Sequence, residues 1–134
     1  MPQARNANEQ LVVDFFETLS SGEIENIRTY IDDDTTWEPV IRDMLGAGVH
    51  KGNAICDEFL APVRGMFQPG EPKVHVDTLV SSDDTVMCET RGVGTLKNGK
   101  VYNNRYAWLF RIRNGRIKTV REYFDSNYVL RLLG

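Results

Sequence analysis

Polar side chains recur at every second position among large apolar residues in the last third of the chain. Asn104, Tyr106 and Trp108 fall on one face of a strand predicted over 101–112, and Glu122 lies on the apolar face of the next predicted strand. An amide on such a face needs a hydrogen-bond partner, which a ligand carbonyl, a held water or a neighbouring backbone group would supply. A carboxylate and an amide among aromatic rings on rigid strands indicate a pocket that does chemistry on an apolar small molecule.

Glu122 is the first candidate for proton transfer. If its strand face is concave, burial raises the pKa of its carboxyl while a neighbouring Arg91 lowers it, and the balance can poise the group as a general acid or base. Arg91 is the expected partner because a guanidinium holds carboxylates in a fixed fork geometry. The alternative is a surface glutamate that pairs across the strands with Arg105 or Arg111, with Arg91 an exposed sheet arginine.

Three further candidates lie on the first predicted strand and at the end of the loop after it. Glu38 stands at a strand end, where it either abstracts a proton next to a carbonyl or remains a solvated acid at the rim. His50 ends the loop over the expected mouth of the pocket, where a histidine could act as acid or base; an exposed loop histidine is the alternative. Trp37, like Tyr106 and Trp108, either lines the pocket and binds substrate or packs in the core.

Composition and charge limit the class of protein. A chain of 134 residues that is 41% hydrophobic and 26% charged is expected to form one globular domain over residues 1–134. Its net charge of −3, with acids and bases interspersed, leaves no basic stretch for nucleic acid. No apolar run approaches the roughly 20 residues of a membrane span, so no membrane partner is predicted. The N-terminus lacks the apolar core of a secretory signal, and a cytoplasmic location is therefore expected.

Neither a metal nor a cofactor is predicted. Cys56 and Cys88 lack metal-ligand spacing and are expected to be small buried side chains. His50 and His75 are well separated, which argues against a zinc site. The sequence also has no glycine-rich phosphate loop, nucleophilic serine motif or dinucleotide fingerprint.

The elements that must position these side chains follow from the apolar pattern. Helical periodicity predicts helices over 8–20, 24–31 and 52–67, and Pro62 is expected to kink the third. A short strand over 35–38 and a loop over 40–51 are predicted between the second and third helices. Alternating patterns predict four antiparallel strands, over 73–80, 85–95, 101–112 and 116–125. A short terminal helix is predicted over 127–133. Asn114 and Gly115 predict the tight turn between the last two strands. The expected fold is α+β, a cone-shaped, curved antiparallel or mixed sheet around three N-terminal helices, with Gly92 and Gly94 as bend or bulge points.

The order of these elements resembles the NTF2-like superfamily. The resemblance is carried by segments 33–39, 102–110, 115–117 and 121–125, and the last three are similar to the SnoaL-like branch in particular. It extends from about Glu9 to Tyr128. The superfamily includes ketosteroid isomerase, SnoaL-type polyketide cyclases, scytalone dehydratase and limonene-1,2-epoxide hydrolase, so one fold hosts several chemistries.

The resemblance implies two sets of catalytic residues. Limonene-1,2-epoxide hydrolase uses an Asp-Arg-Asp relay, in which Arg91 matches the arginine and Glu122 matches the last-strand acid. Val93 stands where the other acid is expected, but Glu89 precedes Arg91 by two residues, which implies a Glu89–Arg91–Glu122 row of altered order. Ketosteroid isomerase places its general base just before a proline at the end of the first strand, where Glu38 stands.

The sequence thus favours a cofactor-independent acid/base enzyme that isomerises, cyclises or dehydrates a hydrophobic carbonyl or polycyclic substrate. Glu38 or Glu122 would be the base, and Asn104 or Tyr106 would polarise the oxygen. The alternatives are an epoxide hydrolase that uses the Glu-Arg-Glu row, and a non-catalytic small-molecule-binding or dimerisation module. A homodimer is expected through the other face of the last hairpin, because tyrosine and arginine favour interfaces and the resembling families commonly dimerise. That face carries Asn103, Arg105, Ala107, Leu109, Arg111, Thr119, Arg121 and Tyr123.

Overall fold

The computed structural model describes residues 2–133, which form one open, mixed six-stranded sheet with helices packed on one face. The strand order is β2-β1-β6-β5-β4-β3; β1 runs parallel to β6 and all other pairs are antiparallel. The strands are β1 (Thr36–Pro39), β2 (His50–Lys51), β3 (Lys73–Ser82), β4 (Thr85–Thr95), β5 (Val101–Arg113) and β6 (Arg116–Phe124). The predicted α+β class is confirmed. None of the helices in residues 2–133 has the length and apolar character needed to cross a bilayer.

Helix α1 (Ala7–Ser21) forms as predicted, with defined signals at both ends. The Asn6 side chain caps it by accepting from the Glu9 amide, and Gly22 ends it in the left-handed region at φ 81°. Its apolar stripe, which includes Phe15 and Phe16, is buried against the sheet. The stripe fixes which sheet face becomes the interior, here called the inner face.

The other two N-terminal helices differ from their predictions. The second is a short 3-10 helix (Ile24–Thr29), and the third is a π-helical turn (Ile55–Leu60) that continues into α2 (Ala61–Arg64). The Ala61 amide donates five residues back to the Cys56 carbonyl, so the helix is widened just before Pro62. Pro62 then occupies the first turn of α2, where its missing N–H is harmless. An overwide turn therefore replaces the predicted kink.

The meander β3–β6 confirms the strand predictions, and the turn at Asn114 and Gly115 has φ of 52° and 72°. Of the bend or bulge predicted at Gly92 and Gly94, the bulge is wrong, because the β4–β5 register is continuous through both glycines. The register shifts instead between Val76 and Thr78, and between residues 111 and 112. A Cβ at Gly92 would stand 3.1 Å from Cε1 of Tyr106, so this glycine makes room for a ring.

The buried side chains form two clusters on the inner face. The larger cluster packs α1 and the π-helical turn against the sheet, and both cysteines, Cys56 and Cys88, are buried in it as free thiols. The smaller cluster includes Phe67, Tyr102 and Val129, the last from the terminal helix α3 (Ser126–Leu133). A cavity remains between the two clusters, lined by residues of both.

Candidate functional site

The cavity lies between the inner face of the sheet, the segment 55–67, the loop after β1 and helix α3. The volume of the cavity is about 110 Å³. Apolar side chains make most of its wall, including Trp37, Ile41, Met44, Phe59, Leu60, Val63, Phe67, Trp108, Phe124, Val129 and Leu133. Five polar side chains reach it: Arg64, Thr90, Tyr102, Tyr106 and Glu122. A mostly apolar pocket with a few convergent polar groups is the usual form of a small-molecule site.

Glu122 is the buried carboxyl of this cavity. It lies on β6, opposite Trp108 on β5 and Pro39 on β1, and is 7% exposed. Burial raises the pKa of its carboxyl from 4.5 to about 7, although a hydrogen bond from Trp37 opposes the rise. Both protonation states are therefore populated near neutral pH, and the group can accept or donate a proton.

Two tryptophans hold the wall around Glu122. The Trp37 Nε1–H donates to Oε1 of Glu122 at 3.0 Å, and the Trp108 Nε1–H donates to Oγ1 of Thr90 at 2.9 Å. The two indoles meet edge to face, with ring centroids 5.7 Å apart. Because the Trp108 N–H is already hydrogen-bonded to Thr90, Trp37 is the indole that orients the Glu122 carboxyl. Its hydrogen bond is to Oε1, which leaves Oε2 of Glu122 for other partners.

A pair of tyrosine hydroxyls lies in the same cavity as the carboxyl. The Tyr102 and Tyr106 oxygens are 2.5 Å apart, and the Asn104 Nδ2 donates to the Tyr102 hydroxyl at 3.2 Å. Burial raises the pKa of Tyr102 to about 12 and that of Tyr106 well above 10, so both stay protonated at neutral pH. Tyr102 was missed as a candidate, although strand alternation places it on the same face as Asn104 and Tyr106.

Asn104 holds the Tyr102 hydroxyl of this pair in place through its side-chain amide. It is 2% exposed, and its Nδ2 also donates to the Asp125 carbonyl while its Oδ1 accepts from the Arg105 amide. Asn104 is therefore satisfied by the protein itself and does not line the cavity. The expectation that it binds substrate directly is wrong, because its hydrogen bonds position Tyr102 instead.

Arg64 is a cavity residue that the sequence analysis did not identify. It is partly buried at the end of α2, and its Nη2 donates to the Pro72 carbonyl at 3.1 Å. Burial lowers the pKa of the guanidinium to about 10, and the group remains cationic at neutral pH. Helical periodicity gave no signal for it, because the overwide turn before α2 rotates the following residues.

The predicted Glu89–Arg91–Glu122 row does not form. Glu89 and Arg91 lie opposite Ala107 and Arg105 on the outer face of the sheet, whereas Glu122 lies opposite Trp108 on the inner face. Arg91 pairs with Asp77 through two bonds of 2.9 and 3.0 Å, and Glu89 accepts from Oγ1 of Thr78. Strand alternation sends both side chains to solvent, so the predicted catalytic row is wrong.

Glu38 and His50 also lie outside the cavity. Trp37 points inward, and Glu38 therefore points outward, where it lies exposed opposite Arg121 of β6. His50 Nε2 is 2.7 Å from the Gly46 carbonyl, and its ring stacks on Phe59 with centroids 4.6 Å apart. His50 thus packs on Phe59, a residue of the cavity wall, and neither His50 nor Glu38 lines the cavity as their predicted site roles require.

Trp37, Tyr106 and Trp108, predicted to bind substrate, do line the cavity together with Glu122. Within residues 2–133 no group of three or more histidine, cysteine, aspartate or glutamate side chains is placed to hold a metal ion. Among the same residues, the polar side chains of the site are one carboxyl, two phenols, one guanidinium and the hydroxyl of Thr90.

Comparison with known proteins places the chain in a family. Its fold is similar to that of Bal32a from a soil-derived mobile gene cassette, at 24% identity and a TM-score of 0.79, covering 92% of this chain and 93% of the other. An NTF2-like protein from Burkholderia thailandensis E264 is 20% identical with a TM-score of 0.82, covering 98% and 99%. TerC, co-crystallised with polyporic acid, is 19% identical with a TM-score of 0.80, covering 95% and 98%.

These likenesses at low identity show the NTF2-like fold, and none of the curated sequences compared matches the chain. The family model of the SnoaL-like domain matches residues 12–120, which include β1 and the whole of the meander up to Val120 in β6. The chain belongs to the SnoaL-like domain family.

Proposed function

We propose that this protein is an acid/base enzyme that moves a proton on an apolar carbonyl compound held in the cavity, with Glu122 as the proton-transfer group. The observation that carries the proposal is a buried carboxyl, with its pKa raised to about 7, in the wall of an apolar cavity beside two phenol hydroxyls. A general base works best when its pKa lies near the working pH.

The proposed reaction begins at a carbon next to a carbonyl. The ionised Glu122 takes a proton from this carbon, the C–H electron pair forms a carbon–carbon double bond, and the carbonyl oxygen gains negative charge. The protonated Glu122 then returns the proton to another carbon in an isomerisation, or to a departing hydroxyl in a dehydration. In a cyclisation the enolate carbon instead attacks a second carbonyl of the same molecule, the C–O double bond of that carbonyl becomes a single bond, and its oxygen takes the proton from Glu122.

The tyrosine pair is proposed to stabilise the oxygen that gains charge. When Tyr102 accepts from Asn104 and donates to Tyr106, the Tyr106 hydrogen can donate into the cavity. Trp108 lies opposite Glu122, which makes Tyr106 the diagonal neighbour of Glu122 across the strands. The Cα atoms of diagonal neighbours are about 7–8 Å apart, and both side chains line the cavity, so the proposal requires that a carbonyl compound held there contacts both groups. A fixed donor in a dry site stabilises developing charge more strongly than water does.

The size and lining of the cavity limit the substrate. A cavity of this order holds a single aromatic or alicyclic ring, since an engineered apolar cavity of about 150 Å³ binds benzene. Membership in the SnoaL-like family and the co-crystal of the fold relative TerC with polyporic acid support a small-molecule ligand.

The test is exchange of the hydrogen next to a carbonyl in deuterated water, followed by proton NMR. The probes are cyclic enones and hydroxy-ketones, and wild type is compared with Glu122→Gln, which keeps the shape and removes the ionisable group. We expect the variant to lose about 10²-fold or more of the exchange rate. Glu38→Gln is the matched control, because Glu38 is an exposed acid on the outer face of β1.

Equal exchange rates in wild type and Glu122→Gln would remove Glu122 from the chemistry. If the probes bind to wild type and none exchanges, the protein acts as a binding module and the proposed reaction fails.

A further inference from the structure

The cavity contains a cation at the end opposite its acid. Arg64 lines the wall next to Pro72, which directly precedes β3, whereas Glu122 lies on β6. Among the side chains of residues 2–133, no carboxylate lies within the 4.0 Å of an ion pair with Arg64, and its guanidinium makes one hydrogen bond to these residues, at Pro72. A partly buried guanidinium with five donors normally has an anionic partner.

The position of Tyr106 shows how the two ends are separated. Strands β3 and β6 are three strand spacings apart in the sheet order, on the order of 14 Å along the sheet. Tyr106 on β5 lies between them, with its ring over Gly92 of β4. Tyr106 and Trp108, which stack on each other with ring centroids 5.6 Å apart, line the cavity between these two ends.

We propose that the ligand of this cavity is an aromatic or alicyclic carboxylic acid, with its carboxylate on Arg64 and its ring on Tyr106. This inference rests on the proposed function, because it names the substrate class of the same site. The planar guanidinium matches a carboxylate in a two-bond fork and supplies the one positive charge that a monoanion needs.

A phosphate fits the site less well than a carboxylate. A phosphate group carries up to two negative charges at neutral pH, and within residues 2–133 Arg64 is the only cationic side chain in the cavity wall. The excess charge would stay desolvated among apolar side chains, which is costly. The same lining favours a ring over a flexible polar chain as the body of the ligand.

The test is binding of two matched pairs of probes, measured by isothermal titration calorimetry at pH 7.5. The pairs are benzoate with benzamide and 2-naphthoate with 2-naphthamide, in which the amide keeps the shape and removes the charge. We expect wild type to prefer the acid of at least one pair by tenfold or more. Arg64→Met, which keeps the apolar stem, should lose this preference while its affinity for the amide stays within about twofold.

Two further variants keep the test decisive. Arg64→Lys keeps the charge without the fork and should retain part of the preference, which guards against a failure of Arg64→Met to fold. Arg91→Met removes an exposed arginine from the outer face of the same sheet and should retain the full preference. Equal affinity of wild type for acid and amide, an unchanged preference in Arg64→Met, or no binding of either acid at millimolar concentration would overturn the inference.

A failure of the inference about Arg64 can be distinguished from a failure of the proposed function. The binding measurement involves no turnover, whereas the exchange assay uses neutral ketones and depends on Glu122. Loss of exchange in Glu122→Gln without any acid preference in wild type would refute the role of Arg64 alone.

Discussion

Substitution of Glu122 by glutamine should change how the stability of the protein depends on pH. The folded state raises the pKa of this carboxyl from 4.5 to about 7, so it holds the proton more tightly than the unfolded chain does. Between these two values the unfolded chain binds fewer protons than the folded protein, and the free energy of unfolding must fall as the pH rises. Below pH 4.5 the group is protonated in both states and this cost vanishes.

The magnitude follows from the two pKa values. A change from 4.5 to about 7 corresponds to about 3 kcal/mol of destabilisation that is fully developed above pH 7. Glutamine cannot ionise, so the variant should gain about 3 kcal/mol relative to wild type between pH 4 and pH 8. For a chain of this size this is on the order of 10 °C in melting temperature. A loss of stability from the altered hydrogen bond to Trp37 is the same at every pH, so it cancels when the difference at pH 8 is compared with that at pH 4.

Urea unfolding followed by circular dichroism, at half-unit steps from pH 4 to pH 8.5, measures this difference. Glu89→Gln is the control for loss of one carboxylate charge, because Glu89 is exposed on the outer face of the sheet. The free energy of unfolding of Glu122→Gln minus that of wild type should rise by about 3 kcal/mol from low to high pH, whereas Glu89→Gln should show no such rise. A difference between wild type and Glu122→Gln that stays constant with pH would refute the buried, near-neutral carboxyl.

Three other substitutions test separate parts of the account. Tyr106→Phe should slow hydrogen exchange next to the carbonyl by about 10²-fold, because it removes the donor proposed for the charged oxygen, and equal rates would exclude that role. Glu9→Gln should destabilise the protein at pH 7, because hydrogen bonds from Ser81 and Arg5 lower the pKa of Glu9 to about 2. This contribution is present above pH 4.5 and is lost as the pH falls through about 2, so urea midpoints of the two proteins should approach each other toward pH 2. We propose a homodimer through the outer face, where Tyr123 is 45% exposed; light scattering should give twice the 15.3 kDa chain mass for wild type and less for Tyr123→Glu, and a monomeric wild type would contradict it.

Local patterns in the sequence were sufficient for most of the fold. The apolar stripe of α1 and the Asn114-Gly115 turn are short-range signals, and the structure forms both of them where they were predicted. Alternation along β5 and β6 also placed Tyr106 and Glu122 on the same buried face.

The site predictions failed where a family pattern was preferred to strand alternation. In β4 the side chains of Val86 and Cys88 are buried, and Glu89 and Arg91 therefore point to the opposite face. The same rule applies in β1, where a buried Trp37 requires an outward Glu38. Applied strictly, the period of two would have removed all three residues from the predicted active site.

Arg64 could not have been found from periodicity. The sequence predicts a regular helix over 52–67, and the overwide turn at Ile55–Leu60 changes which side chains face the sheet after it. The burial of Glu9 depends on Ser81, which lies 72 residues away along the chain. Such contacts follow from tertiary packing, which short-range patterns do not encode.

The most direct test of the central claim is the pKa of Glu122 itself. The carboxyl carbons of the glutamates can be followed by carbon-13 NMR from pH 3 to pH 9, with Glu122→Gln used to assign the signal. The account predicts a midpoint at about 7, with the indole N–H of Trp37 shifting over the same range because it donates to this carboxyl. A midpoint near 4.5 would contradict the account, because the carboxyl would then be fully ionised at neutral pH and would be a weak base.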